Sequence, residues 1–262
     1  MPEDIYRHDY EKEKARQMFD SSEARKAFEN VLDHDTLMAL IKLEEREVLE
    51  RMYGTIESGK ESVVFLADTP EEERVLVKIY MNRAGGFRDM HNYLRGDKRF
   101  RNVKSDRKSV ITEWCKKEYK NLKKASNVLR CPEAIAFQEN ILVMEFIGKD
   151  FSAYPKLKEV EIENPEEGLE HVLKDIESLW NEEKLVHGDL SEYNILVERD
   201  SLAWIDFSQG VHRTHPEALN LLKRDVDNVV EFFNGQGADM SKDEALKRII
   251  SEEEAAEAGF NL

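Results

Sequence analysis

The chain has 262 residues and a formal net charge of −16, with 40% hydrophobic and 36% charged residues. This composition predicts a globular chain with a substantial core, and its acidity argues against nonspecific nucleic-acid binding by the whole surface. Cys115 and Cys131 are too few for a disulfide framework or a zinc site, and no apolar run is long enough for a signal peptide or membrane span. We therefore expect a cytoplasmic protein without membrane contact.

The first predicted elements are helical. Residues 11–32 show a weak helical pattern, and residues 35–52 show a stronger one. Asp35 is a candidate cap for the second helix, and Gly54 stands where a C-terminal glycine belongs. We expect residues 1–54 to form a helical extension packed on the rest of the chain.

A change to strand periodicity follows. Residues 62–67 and 74–80 predict an antiparallel hairpin. The octet 54–61, Gly-Thr-Ile-Glu-Ser-Gly-Lys-Glu, nearly matches a P-loop, but Glu61 replaces the required hydroxyl, and we expect the octet to follow a helix and open a strand. The octet instead suggests a phosphate-covering turn with Ser58 and Lys60 near a nucleotide; an ordinary hairpin turn is the alternative.

Lys78 lies in the second of these strands, among apolar neighbours. A lysine there often protects a sheet edge. In a protein kinase, however, a lysine on this strand holds the nucleotide phosphates and pairs with a glutamate of the next helix. We predict that helix over residues 112–122, with Glu118 as the partner of Lys78 and Glu113 as the alternative.

A basic segment separates the strand from this helix. Residues 81–110 contain nine Lys or Arg and three Asp, a net charge of +6, and the helix adds further lysines. Phe87, Tyr93 and Phe100 are interleaved with these charges. Segment 81–124 is therefore a candidate contact for RNA or an acidic substrate, with a mobile solvated loop as the alternative.

The next strands are predicted at residues 133–138 and 141–148. The second is continuous and apolar, as expected for a buried strand that runs into a linker. Met144 would lie behind an adenine pocket, and the backbones of Glu145 and Ile147 could bind the adenine edge. A helix over residues 161–184 follows.

The strongest chemical pattern is His187-Gly-Asp-Leu-Ser-Glu-Tyr-Asn194, followed by two short apolar runs and Asp206. The runs predict a hairpin that brings Asn194 and Asp206 together, where two oxygen ligands suit Mg²⁺. Asp189 would orient or deprotonate a hydroxyl. This order is typical of a protein-kinase catalytic loop, although each part alone is an ordinary turn or strand end.

Only about ten residues separate Asp206 from the next predicted helix, so a long activation segment does not fit. We predict two short helices there, over residues 217–223 and 226–233. Arg224 and Asp225 lie at their junction.

Together these segments resemble the RIO atypical protein kinases of the first, Rio1-like type. The matching segments are Ser58-Gly-Lys-Glu, Lys78-Ile-Tyr, Tyr93-Leu-Arg-Gly-Asp-Lys-Arg-Phe, Glu118-Tyr-Lys-Asn-Leu, Leu142-Val-Met-Glu-Phe-Ile-Gly, His187-Gly-Asp-Leu-Ser-Glu-Tyr-Asn and Ile205-Asp-Phe-Ser-Gln. The short end of the chain suggests an archaeal source. A departure from the family pattern is Ser62-Val63, where a small Ala-Asn pair is usual.

The resemblance implies an α+β, bilobal, kinase-like fold with an antiparallel N-lobe sheet over residues 55–146. A reduced, mostly helical C-lobe would occupy residues 147–262. It implies Asp189 as base, Mg²⁺ or Mn²⁺ held by Asn194 and Asp206, and a phosphoaspartate formed at Asp206. Lys78 and Glu118 would fix the phosphates, and Glu145 and Ile147 would frame the adenine.

We therefore predict ATP-dependent phosphoryl transfer to Ser or Thr, including autophosphorylation, with a role in small-ribosomal-subunit maturation. An ATPase-driven assembly switch without a protein substrate is the alternative. A small-molecule kinase of the aminoglycoside or choline type is disfavoured, because only about 38 residues separate the predicted linker from His187.

Overall fold

The computed structural model describes residues 13–29, 33–81, 87–100, 103–199, 201–251 and 254. The helices are α1 (Ser22–Glu29), α2 (His34–Glu45), α3 (Phe87–Gly96), α4 (Arg107–Ala125), α5 (Pro165–Asn181), α6 (Ala218–Gly235) and α7 (Lys242–Ile249). The strands are β1 (Arg51–Ser58), β2 (Ser62–Asp68), β3 (Arg74–Tyr80), β4 (Ala134–Gln138), β5 (Ile141–Glu145), β6 (Gly148–Lys149), β7 (Ser152–Ala153), β8 (Leu185–Val186), β9 (Ile195–Glu198), β10 (Ser201–Trp204) and β11 (Val211–His212).

The chain divides into two compact units. The first comprises residues up to 95, 102–119 and 133–146, and the second comprises residues 96–101, 120–132 and 147 onward. Among the described residues, no helix is long and apolar enough to cross a membrane.

The first unit is built on an antiparallel sheet of order β1-β2-β3-β5-β4. The predicted hairpin is confirmed as β2 and β3, which pair from Ser62↔Tyr80 to Asp68↔Arg74. Their buried valines and Ile79 suit a covered sheet because β-branched side chains pack well on a pleated surface. The same core includes Phe19, Phe28 and Leu40 from the N-terminal helical region.

The helix predicted over residues 35–52 is wrong at its C-terminal half. The helix α2 starts after Asp33, whose side chain accepts a hydrogen bond from the Thr36 N–H at 2.8 Å, and it ends at Glu45. Glu47 has a left-handed backbone, with φ of 58°. Met52 and Gly54 belong to β1, where Met52 pairs with Ala67 of β2. Cross-strand pairing overrode a hydrophobic pattern that continues the helical period.

The octet 54–61 therefore starts inside a strand, which corrects the expectation that it follows a helix. It runs through the turn between β1 and β2, where the Gly59 N–H donates to the Ser62 carbonyl at 2.9 Å. Because a strand rather than a helix follows this turn, the P-loop interpretation stays excluded.

Part of the basic segment is folded rather than a solvated loop. It contains α3 and a 3₁₀ turn at Lys98–Phe100, and Leu94 and Phe100 are buried. Phe100 is therefore not available to stack on an RNA base. Residues 82–86, 101 and 102 of this segment lie outside the described residues, as does the side chain of Phe87.

The second unit contains α5, α6 and α7, which pack against one another, and three two-stranded ladders. Asn164 caps α5 by accepting from the Glu167 N–H, and Pro165 takes the first helical position. The prediction of two helices after Asp206 is wrong, because α6 runs unbroken from Ala218 to Gly235. No Pro or Gly interrupts that range before its last residue, so nothing there breaks a helix.

Candidate active site

In the first unit, Lys78 and Glu118 form a buried ion pair. Lys78 lies on the central strand β3, and its Nζ is 2.9 Å from Glu118 Oε1 on α4. Both side chains are buried, and the Tyr80 hydroxyl donates to Glu118 Oε2. Glu113, the alternative partner, is instead 2.9 Å from Lys116 on the same helix. The ion pair with Glu118 thus fixes the orientation of the Lys78 ammonium group.

The other nucleotide-binding candidates of this unit lie on the strands of the sheet or in the turn between β1 and β2. Ser58 ends β1 and Lys60 lies in the following turn, and both are exposed. Met144 is buried on β5, paired with Leu76 on one side and Ala134 on the other. The Glu145 N–H donates to the Glu133 carbonyl at 2.9 Å, so this N–H is engaged within the first unit.

In the second unit, Ile147 follows the end of β5. Its carbonyl accepts from the Tyr154 N–H at 3.2 Å, so its N–H is the backbone group that could meet an adenine. Its side chain is buried with Leu196 and Ala203 of the β9–β10 hairpin.

The predicted hairpin of the second unit is present as β9 and β10, paired from Ile195↔Trp204 to Glu198↔Ser201. Asn194 immediately precedes β9, and the Ile205 N–H donates to its carbonyl at 2.9 Å. The Asn194 side-chain amide donates to the Asp189 carbonyl at 2.7 Å. The hairpin therefore brings Asp189, Asn194 and Asp206 into one cluster.

Asp206 has a left-handed backbone, with φ of 61° and ψ of 68°, and its carboxylate accepts from the Ser208 N–H at 3.3 Å. Residues other than glycine adopt this conformation at a cost, and such strain is concentrated at functional sites. The conformation turns the chain sharply at the end of β10 and places the Asp206 carboxylate at the surface of its unit.

The two carboxylates influence each other. Partial desolvation and the negative charge of Asp206 raise the pKa of Asp189 above its ordinary value, while Arg224 and a hydrogen bond from Asn194 lower it. Asp189 is nonetheless exposed to solvent, so its carboxylate can meet a substrate hydroxyl. A raised pKa is the direction that improves a general base near neutral pH.

His187 contacts the backbone of the loop that carries Asp189. Its Nε2 is 3.0 Å from the Ile205 carbonyl, and its Nδ1 accepts from the Asp189 N–H at 3.3 Å. Since a carbonyl only accepts, Nε2 carries the proton and the ring is the neutral tautomer. The imidazole also packs on Phe207, with ring centroids 4.6 Å apart.

Sequence reasoning missed the residues that hold the loop's backbone. Asp225, buried on α6, accepts from the N–H groups of Gly188 at 2.7 Å and Leu190 at 2.9 Å, and Arg224 donates to the Gly188 carbonyl. Gly188 has φ of 78°, and a Cβ there would lie 2.9 Å from the Gln209 carbonyl oxygen, so only glycine fits. The available signal was a charged pair, Arg224 and Asp225, that directly precedes the apolar Val226.

The pKa of Asp225 is raised by burial to about 7, although the two N–H donors and Arg224 act in the opposite direction. Two backbone N–H groups therefore fix the position of the Asp225 carboxyl, while burial makes its ionisation unfavourable.

The donor set of the cluster fits Mg²⁺. The hydrogen bond of the Asn194 amide nitrogen orients the side chain and leaves Oδ1 for a cation, and Asp206 adds a carboxylate. No group of three or more His, Cys, Asp or Glu among the described residues is arranged to hold a metal by itself. Mg²⁺ takes one or two protein carboxylates and completes its shell with water and phosphate oxygens, so this sparse set suits it.

The chain matches the family model described as the RIO domain over residues 63–246. The chain belongs to the RIO family. It is 38% identical over 248 residues to the RIO-type serine/threonine-protein kinase Rio1 of Haloferax volcanii, covering 94% of this chain and 85% of the relative. The Rio1 kinase of Methanocaldococcus jannaschii is also 38% identical, over 94% of this chain and 84% of its own length.

The predicted Rio1-like, archaeal type of RIO kinase and the predicted enzyme class are thereby confirmed. Among solved structures, the Rio2 kinase of Chaetomium thermophilum matches with a TM-score of 0.63 at 22% identity, covering 83% of this chain and 68% of that one. A complex of Rio2 kinase with ADP/Mg²⁺-phosphoaspartate from the same organism has a TM-score of 0.62 at 20% identity, covering 87% and 71%. These likenesses confirm the predicted kinase-like α+β fold of this RIO chain.

Proposed function

We propose that this RIO chain transfers the γ-phosphate of ATP to a serine or threonine hydroxyl, with Asp189 as base and with Asn194 and Asp206 as the metal ligands. The observation that carries the proposal is the cluster of Asp189, Asn194 and Asp206 on one loop and hairpin. The names of the archaeal relatives support the same reaction.

Each residue has a defined part in this reaction. Lys78, oriented by Glu118, contacts the α- and β-phosphates, and the exposed Ser58 and Lys60 cover the phosphates from the turn. The Glu145 carbonyl and the Ile147 N–H meet the adenine edge, with Met144 behind it. Bound Mg²⁺ supplies neutralisation of the phosphate charge.

Asp189 accepts the proton of the substrate hydroxyl as its oxygen bonds to the γ-phosphorus. The bond from that phosphorus to the β–γ bridging oxygen breaks, and ADP leaves. Positioning and charge neutralisation supply most of the catalysis in such a transfer. His187 and Asp225 accept hydrogen bonds from the N–H groups of Asp189 and Gly188, and Arg224 donates to the Gly188 carbonyl. These bonds fix the backbone that carries Asp189, which serves this positioning.

A second candidate is ATP hydrolysis through an aspartyl phosphate at Asp206, without a protein substrate. Two observations favour it: the exposed Asp206 carboxylate, and the short stretch from Gly210 to α6, which leaves no long segment to seat a peptide. The Rio2 complex described with ADP, Mg²⁺ and phosphoaspartate also supports it.

Incubation with ATP labelled at the γ-phosphate, Mg²⁺ and a generic basic protein separates the two. For the protein kinase we expect label on serine or threonine that survives hydroxylamine. Label found solely as hydroxylamine-sensitive acyl phosphate, together with steady release of inorganic phosphate, would refute protein phosphorylation and support hydrolysis. Substituting Mn²⁺ for Mg²⁺ in the same assay tests the second metal.

We also propose contact with RNA of the small ribosomal subunit through segment 81–124. Exposed basic residues such as Arg95, Lys104 and Arg107 support a phosphate contact, whereas the burial of Phe100 removes one of the predicted stacking rings. Filter binding of small-subunit RNA at several salt concentrations is the test. We expect affinity to fall as salt rises; affinity that does not change with salt would contradict a phosphate contact.

A further inference from the structure

Asn121, near the end of α4, is completely buried in the second unit and holds the segment that follows Asp206. Its amide nitrogen donates to two backbone carbonyls, that of Phe207 at 3.0 Å and that of Gly210 at 2.8 Å. The Phe207 carbonyl also accepts from the Gly210 N–H at 3.1 Å, which closes the turn between them. Asn121 therefore fixes both ends of the short 3₁₀ turn Phe207–Gln209.

The orientation of Asn121 is itself fixed from the basic segment. Arg99 Nη1 donates to Asn121 Oδ1 at 2.9 Å. Arg99 also makes a two-pronged contact with the buried Asp97, from Nε to Oδ1 at 3.0 Å and from Nη2 to Oδ2 at 2.6 Å. Because Oδ1 accepts from Arg99, the amide nitrogen must face the two carbonyls.

Gly210 has no room for a side chain at this contact. A Cβ on Gly210 would lie 2.8 Å from Asn121 Nδ2 and 3.1 Å from the Phe207 carbonyl oxygen. Phe207, the residue immediately after Asp206, is thus held at its carbonyl by the Asn121 amide. The same amide holds the Gly210 carbonyl at the other end of the turn. Asp206 keeps its left-handed backbone at the start of this anchored turn.

We propose that Asn121 is a positioning residue for the divalent-cation site, which aims the Asp206 carboxylate by holding the Phe207 and Gly210 carbonyls. This inference rests on the proposed function, since it assumes that Asp206 is a metal ligand. Residues that orient a metal ligand typically change metal affinity by about 10–100-fold when they are removed. The chain Asp97–Arg99–Asn121 also connects the basic segment to the metal ligand.

Direct metal binding tests this role apart from catalysis. Asn121→Leu keeps the size of the side chain and removes both donors. In the 262-residue chain with saturating ADP, Mn²⁺ is titrated and free Mn²⁺ is followed by electron paramagnetic resonance. We expect the half-saturating Mn²⁺ concentration to rise by about tenfold, while ADP binding without metal stays unchanged.

The matched control is Asn127→Leu. Asn127 is exposed two residues beyond α4, and its side-chain amide donates to the Glu183 carboxylate at 2.9 Å. We expect its Mn²⁺ affinity to equal that of wild type. Hydrogen exchange gives a second readout: the Gly210 amide, which donates to the Phe207 carbonyl, should exchange faster in Asn121→Leu and not in Asn127→Leu.

The results distinguish this inference from the proposed function. Wild-type protein that binds no Mn²⁺ in the presence of ADP refutes both. A folded Asn121→Leu protein with wild-type Mn²⁺ affinity refutes the positioning role alone. If Asn121→Leu does not fold, the partly exposed Arg99 decides: a raised half-saturating Mn²⁺ concentration in Arg99→Ala, with no change in the neighbouring Lys98→Ala, supports the role, and unchanged binding in both overturns it.

Discussion

The Lys78 site and the Asp206 site differ in burial and in charge compensation. Lys78 and Glu118 are buried, carry opposite charges and lie 2.9 Å apart, with Tyr80 completing the set. Asp189 and Asp206 are exposed and carry like charges, and the charge of Asp206 helps to raise the pKa of Asp189.

The difference shows which site depends on a ligand. Charges in a protein interior are tolerated only when they are paired, so the Lys78 site must be complete before any nucleotide arrives. Two like-charged carboxylates at a surface are hydrated and lose their repulsion when a cation binds. We therefore expect substitutions at Lys78 to affect folding as well as binding, and substitutions at Asp189 to affect chemistry.

The largest expected effect is that of Asp189→Asn. Loss of a general base lowers turnover by about 10²–10⁴-fold, and the neutral amide should leave ATP binding largely intact. Single-turnover phosphoryl transfer and calorimetric nucleotide binding measure the two quantities. Asp239→Asn, at an exposed loop position, is the matched control. Full activity in Asp189→Asn would exclude Asp189 as the base.

The second largest expected effect is a loss of folding stability on substitution of Lys78. Lys78→Met leaves the Glu118 carboxylate buried without its cation, and breaking a buried pair from one side costs about 3–5 kcal/mol of stability. Urea unfolding gives this value. The double variant Lys78→Met/Glu118→Gln should recover most of the loss, because no uncompensated charge remains. A double variant as unstable as the single one would show that packing, and not charge, causes the loss.

Asp225 provides a pH test in the second unit. Its folded pKa of about 7 exceeds the ordinary value of 3.8, so the folded protein binds this proton more tightly than the unfolded chain does. The contribution of Asp225 to stability is therefore fully present below pH 4 and is lost as pH rises through 7. About 1.4 kcal/mol accompanies each pKa unit, which predicts a decline of roughly 4 kcal/mol.

Unfolding of wild type and Asp225→Asn across pH 4–8 measures this decline as the difference between the two proteins. Asn at this position can satisfy only one of the two N–H groups, so its own stability is lower but does not follow the Asp225 titration. A difference that stays constant from pH 4 to pH 8 would mean that the N–H donors outweigh burial, because a lowered folded pKa would place the whole change in stability below about pH 4.

The smallest expected effect belongs to Lys60→Ala. Lys60 is exposed in the β1–β2 turn, and an exposed charge near phosphates contributes up to about 1 kcal/mol. We expect KM for ATP to rise roughly fivefold with kcat unchanged, the signature of lost uniform binding. Lys247→Ala, on the exposed face of α7, serves as the control. An unchanged KM would leave the β1–β2 turn as an ordinary hairpin connection.

Local patterns were sufficient where neighbouring residues decide the structure. The alternating apolar runs predicted the β2–β3 and β9–β10 hairpins, and the spacing from His187 to Asn194 predicted the cluster with Asp206. Local patterns failed where contacts with residues distant in the sequence decide the structure. The apolar residues before Gly54 continue a helical period, yet pairing with β2 makes them a strand.

The same limit explains the missed residues. Arg224 and Asp225 were predicted to lie at the junction of two helices. In the folded chain Asp225 faces inward and binds the backbone of Gly188 and Leu190, more than thirty residues earlier. Likewise, nothing near Asn121 in the sequence points to the carbonyls of Phe207 and Gly210.

The sequence by itself determined the kinds of groups available and their order: a strand lysine, a helix glutamate, and two aspartates with an asparagine spaced for a loop and a hairpin. Tertiary structure alone decided which backbone groups these side chains hold and how deeply each is buried. The physical reason is that chemistry and local periodicity are properties of short segments. Hydrogen-bond partners and desolvation depend on segments that meet only after the chain has folded.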